Sequence, residues 1–96
     1  MTIDAHERFH IARDVHVREF DGELVILDLV KGDYFGVNEI GARLWHGIAM
    51  GKSCGEIAND LAREYATDPQ HLLNDLVALA NDFIANGLLV RSTSVK

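Results

Sequence analysis

A single cysteine, Cys54, stands in the sequence, so no disulfide can form within the chain. Long apolar runs are missing. None approaches the ~20 residues that a membrane-spanning helix needs. The start, Met1-Thr2-Ile3-Asp4-Ala5-His6-Glu7, has neither the basic nor the apolar stretch of a signal peptide. Positive charge is scarce: nine Lys and Arg stand against fifteen Asp and Glu, a net charge of −6 with histidine neutral. Such a surface repels phosphate backbones and anionic lipids. Length is also short. The 96 residues suffice for one compact core, with little room for a deep, walled active site besides. Together these absences describe a one-domain cytoplasmic protein with no nucleic-acid partner and no membrane partner.

What is present is ordinary for a globular chain, with 48% apolar and 25% charged residues. Residues 15–37 read as a β-meander. Val15 to Phe20 is rich in β-branched residues. Asp21-Gly22 is a preferred pair for a two-residue hairpin turn, because both positions need positive φ. Glu23 to Val30 is apolar on both faces over much of its length, as a central strand should be. Lys31-Gly32 reads as a second tight turn, and Asp33-Tyr34-Phe35-Gly36-Val37 as a third strand.

From Asn38 the period becomes helical. Asn38 caps a first helix with Ile40, Leu44 and Ile48 at spacing four and Trp45 on its flank, stopped by Gly51. Ser53-x-x-Glu56 is a capping-box pattern opening a second helix with Ile57, Leu61 and Tyr65 on one side. Asp68-Pro69 opens a third, with Pro at the first helical position where its missing N–H costs nothing. It runs to about Asn86, stops at Gly87, and leaves Leu88-Leu89-Val90 as a short extended tail. The fold class is therefore α+β: a winged-helix-like domain in which a three-stranded antiparallel meander is followed by three helices.

Two features go beyond folding. Leu72, Leu73, Leu76, Val77, Leu79, Ala80, Phe83 and Ile84 cover an arc of about 160° on the third helix, where about 100° serves one core. Asp75 and Asp82 border one edge of that arc. Beside it, the strand Asp33–Val37 is an edge carrying Tyr34, Phe35 and Val37 but no Lys or Pro to guard it. An unguarded apolar edge beside a helix with surplus apolar width suits β-augmentation, in which a partner peptide adds itself as a further strand. Two alternatives stay open at this point: Phe9-His10-Ile11 covers the edge, or two copies pair through it.

Other motifs carry competing chemistry. His6-Glu7-Arg8-Phe9-His10 matches the His-Glu-x-x-His zinc pattern, which works only if both imidazoles share a helix face. It stands at the chain start, and His16, His46 and His71 suggest no third ligand. Cys54 sits near a helix N-terminus, where a thiol pKa can fall, but no Cys-His-Asn order accompanies it. Helix-turn-helix DNA reading needs Arg, Lys, Asn or Gln aimed at bases and phosphates. The helix from Pro69 to Asn86 has no Lys or Arg and two Asp. No enzyme activity, metal or cofactor is expected.

The run Gly32-Asp33-Tyr34-Phe35-Gly36-Val37-Asn38-Glu39-Ile40-Gly41-Ala42-Arg43-Leu44-Trp45 resembles the strand-to-helix junction of PqqD-like proteins, also called RiPP recognition elements. Ser53 to Tyr65, Asp68-Pro69, Asp75-Leu76 and Gly87-Leu88-Leu89-Val90 continue the pattern, so the resemblance spans residues 15–91. It implies a winged-helix domain that binds the leader of a ribosomally made precursor peptide as an added strand against the third strand. The third helix flanks that site, and the domain presents the precursor to a modifying enzyme. The resemblance leans to the lasso-peptide branch, with its leader peptidase, over the PQQ branch with a radical SAM enzyme. In this reading Asp33, Tyr34, Phe35, Gly36 and Val37 supply main-chain hydrogen bonds. Leu72, Leu76 and Leu79 form an apolar floor, and Asp75 meets a basic or hydroxyl group of the leader. Residues 1–14 are left as an N-terminal extension and residues 92–96 as a tail, with ragged ends expected.

Overall fold

The computed structural model describes residues 5–21 and 23–91. The elements run β1 (Phe9–Ile11), β2 (Val15–Phe20), β3 (Glu23–Asp28), β4 (Asp33–Val37), α1 (Glu39–Ala49), α2 (Cys54–Tyr65), α3 (Pro69–Ala85) and β5 (Leu89–Arg91). β2, β3 and β4 form an antiparallel sheet in that order, with β3 central. This is the expected α+β order of meander and helices. Leu24, Ile26 and Asp28 are buried while Val25 and Leu27 are half-buried, so both faces of β3 are covered to different depths.

The turns divide. Phe20 pairs with Glu23, as a two-residue hairpin requires, and Asp21 has φ 49°. The second residue of that turn, Gly22, lies outside the described residues. The other turn differs from expectation. β3 ends at Asp28 rather than Val30, and residues 29–32 form a four-residue loop. The cause is Asp28, whose Oδ1 accepts from the backbone N–H of Val30 and of Lys31 at 3.0 and 3.2 Å. That local bonding competes with a ladder. Gly32 closes the loop at φ 78°, and Leu29 and Val30 are left exposed.

All three helix starts follow the sequence. Asn38 Oδ1 accepts from Gly41 N–H at 3.0 Å. Ser53 and Glu56 satisfy each other's backbone N–H. Asp68 Oδ1 accepts from Gln70 N–H at 3.0 Å, with Pro69 next to it. Each such cap contributes about 1 kcal/mol. Ala66, in the left-handed region at φ 50°, makes the tight turn from α2 to α3.

The core joins the inner face of the sheet to the three helices through Leu24, Ile26, Leu44, Trp45, Leu61, Leu76 and Phe83. Trp45 meets Phe83 edge to face at 5.4 Å. β1 and β5 pair antiparallel as a separate two-stranded sheet, with Phe9 opposite Arg91 and Ile11 opposite Leu89. The segment read from the sequence as an N-terminal extension is thus anchored from Ala5 on. Ala5 O accepts from Gly55 N–H, Arg91 donates to Glu7 at 2.7 Å, Arg8 pairs with Glu56 at 2.9 Å, and Phe9 is buried. The expectations for residues 1–4 and 92–96 lie outside the described residues.

Candidate peptide-binding site

β4 hydrogen-bonds to β3 on one side, and no described residue pairs with its other side. Because β1 pairs with β5, Phe9-His10-Ile11 does not cover this edge. In an antiparallel ladder alternate residues turn both backbone groups the same way. One alternating set within Asp33–Val37 therefore offers N–H and C=O outward.

The side chains divide by parity. Phe35 and Val37 lie on the inner face, opposite the fully buried Ile26 and Leu24, and are half-buried against the core. Tyr34 is on the outer face and 75% exposed. Gly36 opposes Val25, and a Cβ there would meet nothing within 4 Å. Asp33 begins the strand opposite buried Asp28 and is itself exposed.

Two contacts relate α3 to β4, one through the start of α1 and one through the loop before β4. At one end a Cβ on Gly41 would stand 2.9 Å from Val37 Cβ and 3.2 Å from Leu79 Cδ2. Glycine here lets the first turn of α1 sit against both. At the other end Lys31 Nζ, in the loop before β4, lies 3.4 Å from Asn86 O at the end of α3. The strand and the helix therefore run in opposite directions along a shared strip of surface.

The expected floor narrows. Leu76 has no exposed surface and Leu72 is 8% exposed, so both belong to the core. Leu79 is half-buried and lies on the β4 side, between the exposed Asp75 and Asp82. Leu73, from the opposite edge of the wide arc, lines a small hollow with Gly55 and Ala58 at the start of α2 and Pro69 at the start of α3. The surplus apolar width is thus shared between α2 on one flank and the β4 strip on the other. Asp75 stands 3.7 Å from His71 Nε2 one turn back. Sequence reasoning missed Gly41 and Lys31; a glycine in the first turn of a good helix is the one signal that pointed there.

The competing motifs take other roles. Phe9-His10-Ile11 is a strand, so His6 and His10 share no helix face, and Glu7 is held by Arg91. Burial, and to a lesser extent the charge of Glu7, push the Cys54 thiol up to about 11, opposite to the activation a helix N-terminus can give.

The family described as coenzyme PQQ synthesis protein D (PqqD) matches residues 23–89, most of the chain. The chain belongs to the PqqD family. Two solved structures share its fold. One, of TbiB1 in complex with the TbiA(beta) leader peptide, is 29% identical, with TM-score 0.77, covering 90% of this chain and 98% of that one. The other, lasso peptide synthetase B1 complexed with the leader peptide, is 25% identical, with TM-score 0.80, covering 86% and 98%. No curated protein matches the chain. Within this PqqD-family domain, no helix among the described residues is long and apolar enough to cross a membrane.

Proposed function

We propose that this PqqD-family protein is a non-catalytic carrier for lasso-peptide maturation. It binds the leader of a ribosomal precursor as a strand added to β4 and delivers it to a leader peptidase. The observation that carries this reading is the outer edge of β4, which no described residue pairs because β1 pairs with β5 instead, with the loop before β4 tied to the end of α3 by Lys31. Similarity to two structures that hold leader peptides supports the choice of ligand and of the lasso branch. One open hollow of about 490 Å3 is lined by Arg8, Phe9, His10, Ile11, Ile48, Ala49 and Gly51, with no carboxylate among them. The exposed flank of α3 carries Asp75 and Asp82, which repel phosphate, so DNA reading is not supported.

The energetics set what the site must contain. Three to five main-chain hydrogen bonds at roughly 1 kcal/mol net each give only a few kcal/mol. Micromolar binding needs about 8 kcal/mol, and ordering the peptide costs more. Two or three apolar anchors at about 1.5–3 kcal/mol each must therefore be buried as well. Leu79, Phe35 and Val37 are the half-buried side chains placed to receive them. Hydrogen exchange with and without a cognate leader peptide tests the mode. Added protection should fall on residues 33–37 and on the Asp75–Asp82 flank of α3. Tight binding with protection confined to β2 or β1 would refute it.

A further inference from the structure

If β4 takes an added strand, as proposed above, the strip between β4 and α3 also fixes what that strand's inward side chains can be. In an extended peptide, residues i−2, i and i+2 face the same side, about 6.7 Å apart. On α3, Leu79 shares the Gly41 surface with Val37, the last residue of β4. Asp75 lies four residues before Leu79 and Asp82 three residues after, about 6 and 4.5 Å along the helix axis. The peptide residue seated on Leu79 therefore has its two same-side neighbours opposite the two carboxylates, whichever way the peptide runs.

The charges facing this strip are few. Asp33 opens β4, and α3 contributes no Lys or Arg. Asp75 is exposed, and its one described partner is His71, 3.7 Å away. Asp82 is exposed, and its backbone carbonyl, rather than its carboxylate, is what Asn86 binds. Lys31 sits one turn beyond it, against the Asn86 carbonyl. Among the described residues, neither carboxylate has a cation within ion-pair distance other than His71 beside Asp75. We infer that the site selects a leader segment with an apolar residue flanked, two positions to either side, by Lys or Arg.

The test uses the full chain, immobilised, and a random ten-residue peptide display library at low salt. Selected peptides should carry the basic-x-apolar-x-basic pattern and should protect residues 33–37 from exchange. Synthetic copies with norleucine at either basic position should bind about two- to fivefold more weakly, the range for an exposed ion pair. That difference should vanish in ~1 M salt, where the Debye length is ~3 Å. The variant Asp75→Asn/Asp82→Asn should lose the basic preference. The variant Asp14→Asn/Asp21→Asn, with the same change in net charge at the ends of β2, should keep it. Peptides that protect residues 33–37 without a basic bias, or a bias that survives Asp75→Asn/Asp82→Asn, would overturn this inference and leave strand addition standing. If no selected peptide protects residues 33–37, strand addition itself fails, and the inference with it.

Discussion

Gly41 and Leu79 are in contact across the junction of α1 and α3, closely enough that a Cβ on Gly41 would sit 3.2 Å from Leu79 Cδ2 and 2.9 Å from Val37 Cβ. The missing side chain therefore keeps the end of β4, the start of α1 and the middle of α3 together. Gly41→Ala should improve helix propensity by about 1 kcal/mol. Overpacking should outweigh this, costing about 1–3 kcal/mol, because Val37 Cβ cannot swing away as the tip of a long side chain could. Urea unfolding checks the sign. A more stable variant would show that β4 and α3 can part without cost.

Leu76 and Leu79 should separate stability from binding. Leu76 is fully buried, so Leu76→Ala should cost about 2–5 kcal/mol of stability. Leu79→Ala should cost less and weaken peptide binding more, measured by calorimetry at a temperature where both variants are folded. Equal binding losses would mean that Leu79 is not an anchor.

Tyr34, 75% exposed, contributes little to the fold. Tyr34→Ala should change stability by no more than about 0.5 kcal/mol. A cross-strand contact with an added peptide is worth roughly 0.2–1 kcal/mol, so affinity should fall up to about fivefold. Proline in place of an outward-bonding residue of β4 should abolish binding by removing a donor.

Cys54 should be inert. With its pKa pushed up to about 11 by burial, almost no thiolate exists at neutral pH. Labelling by a thiol reagent should be slow in buffer and fast in urea. Rapid labelling of the folded protein would mean that the α2 start opens readily.

Three carboxylates tie stability to pH. Glu56 is held below the usual carboxylate range by the Ser53 backbone N–H and then by Arg8, Asp60 by Lys52, and Glu64 by Arg43. Each binds protons less readily folded than unfolded. Their contribution is therefore present above the ordinary values of 4.5 for Glu and 3.8 for Asp, and is lost as pH falls below them. The urea midpoint should drop between pH 6 and pH 3, and Glu56→Gln should shallow that drop.

The elements most legible in the sequence are those fixed by local chemistry. Asn38, Ser53–Glu56 and Asp68–Pro69 mark helix starts because each side chain bonds a backbone N–H only two or three residues away. β3 is legible because a strand that is apolar on both faces has a composition of its own. The strand β1 was not, since Phe9-His10-Ile11 gains its structure from Leu89–Arg91, some eighty residues distant. The end of β3 is not legible, because Leu29 and Val30 look like strand residues and nothing in their spacing reveals that Asp28 Oδ1 accepts from the Val30 and Lys31 N–H groups. In the candidate site the β4 edge is readable. Which edge of the α3 arc faces it is not, because both edges are apolar and only the Gly41 contact distinguishes Leu79 from Leu73.

The pairing of β1 with β5 also sets a timetable. Phe9 and its neighbours leave the ribosome before every other described element, and their partner strand leaves after all of them. The meander and the helix-turn-helix can form from near neighbours in sequence, whereas this closure must wait for a loop that spans almost the whole domain. During synthesis, an apolar segment that ends up buried stays without its partner longest. Changes that delay β5, such as proline at Val90, should therefore lower soluble yield more than they lower the stability of molecules that have already folded.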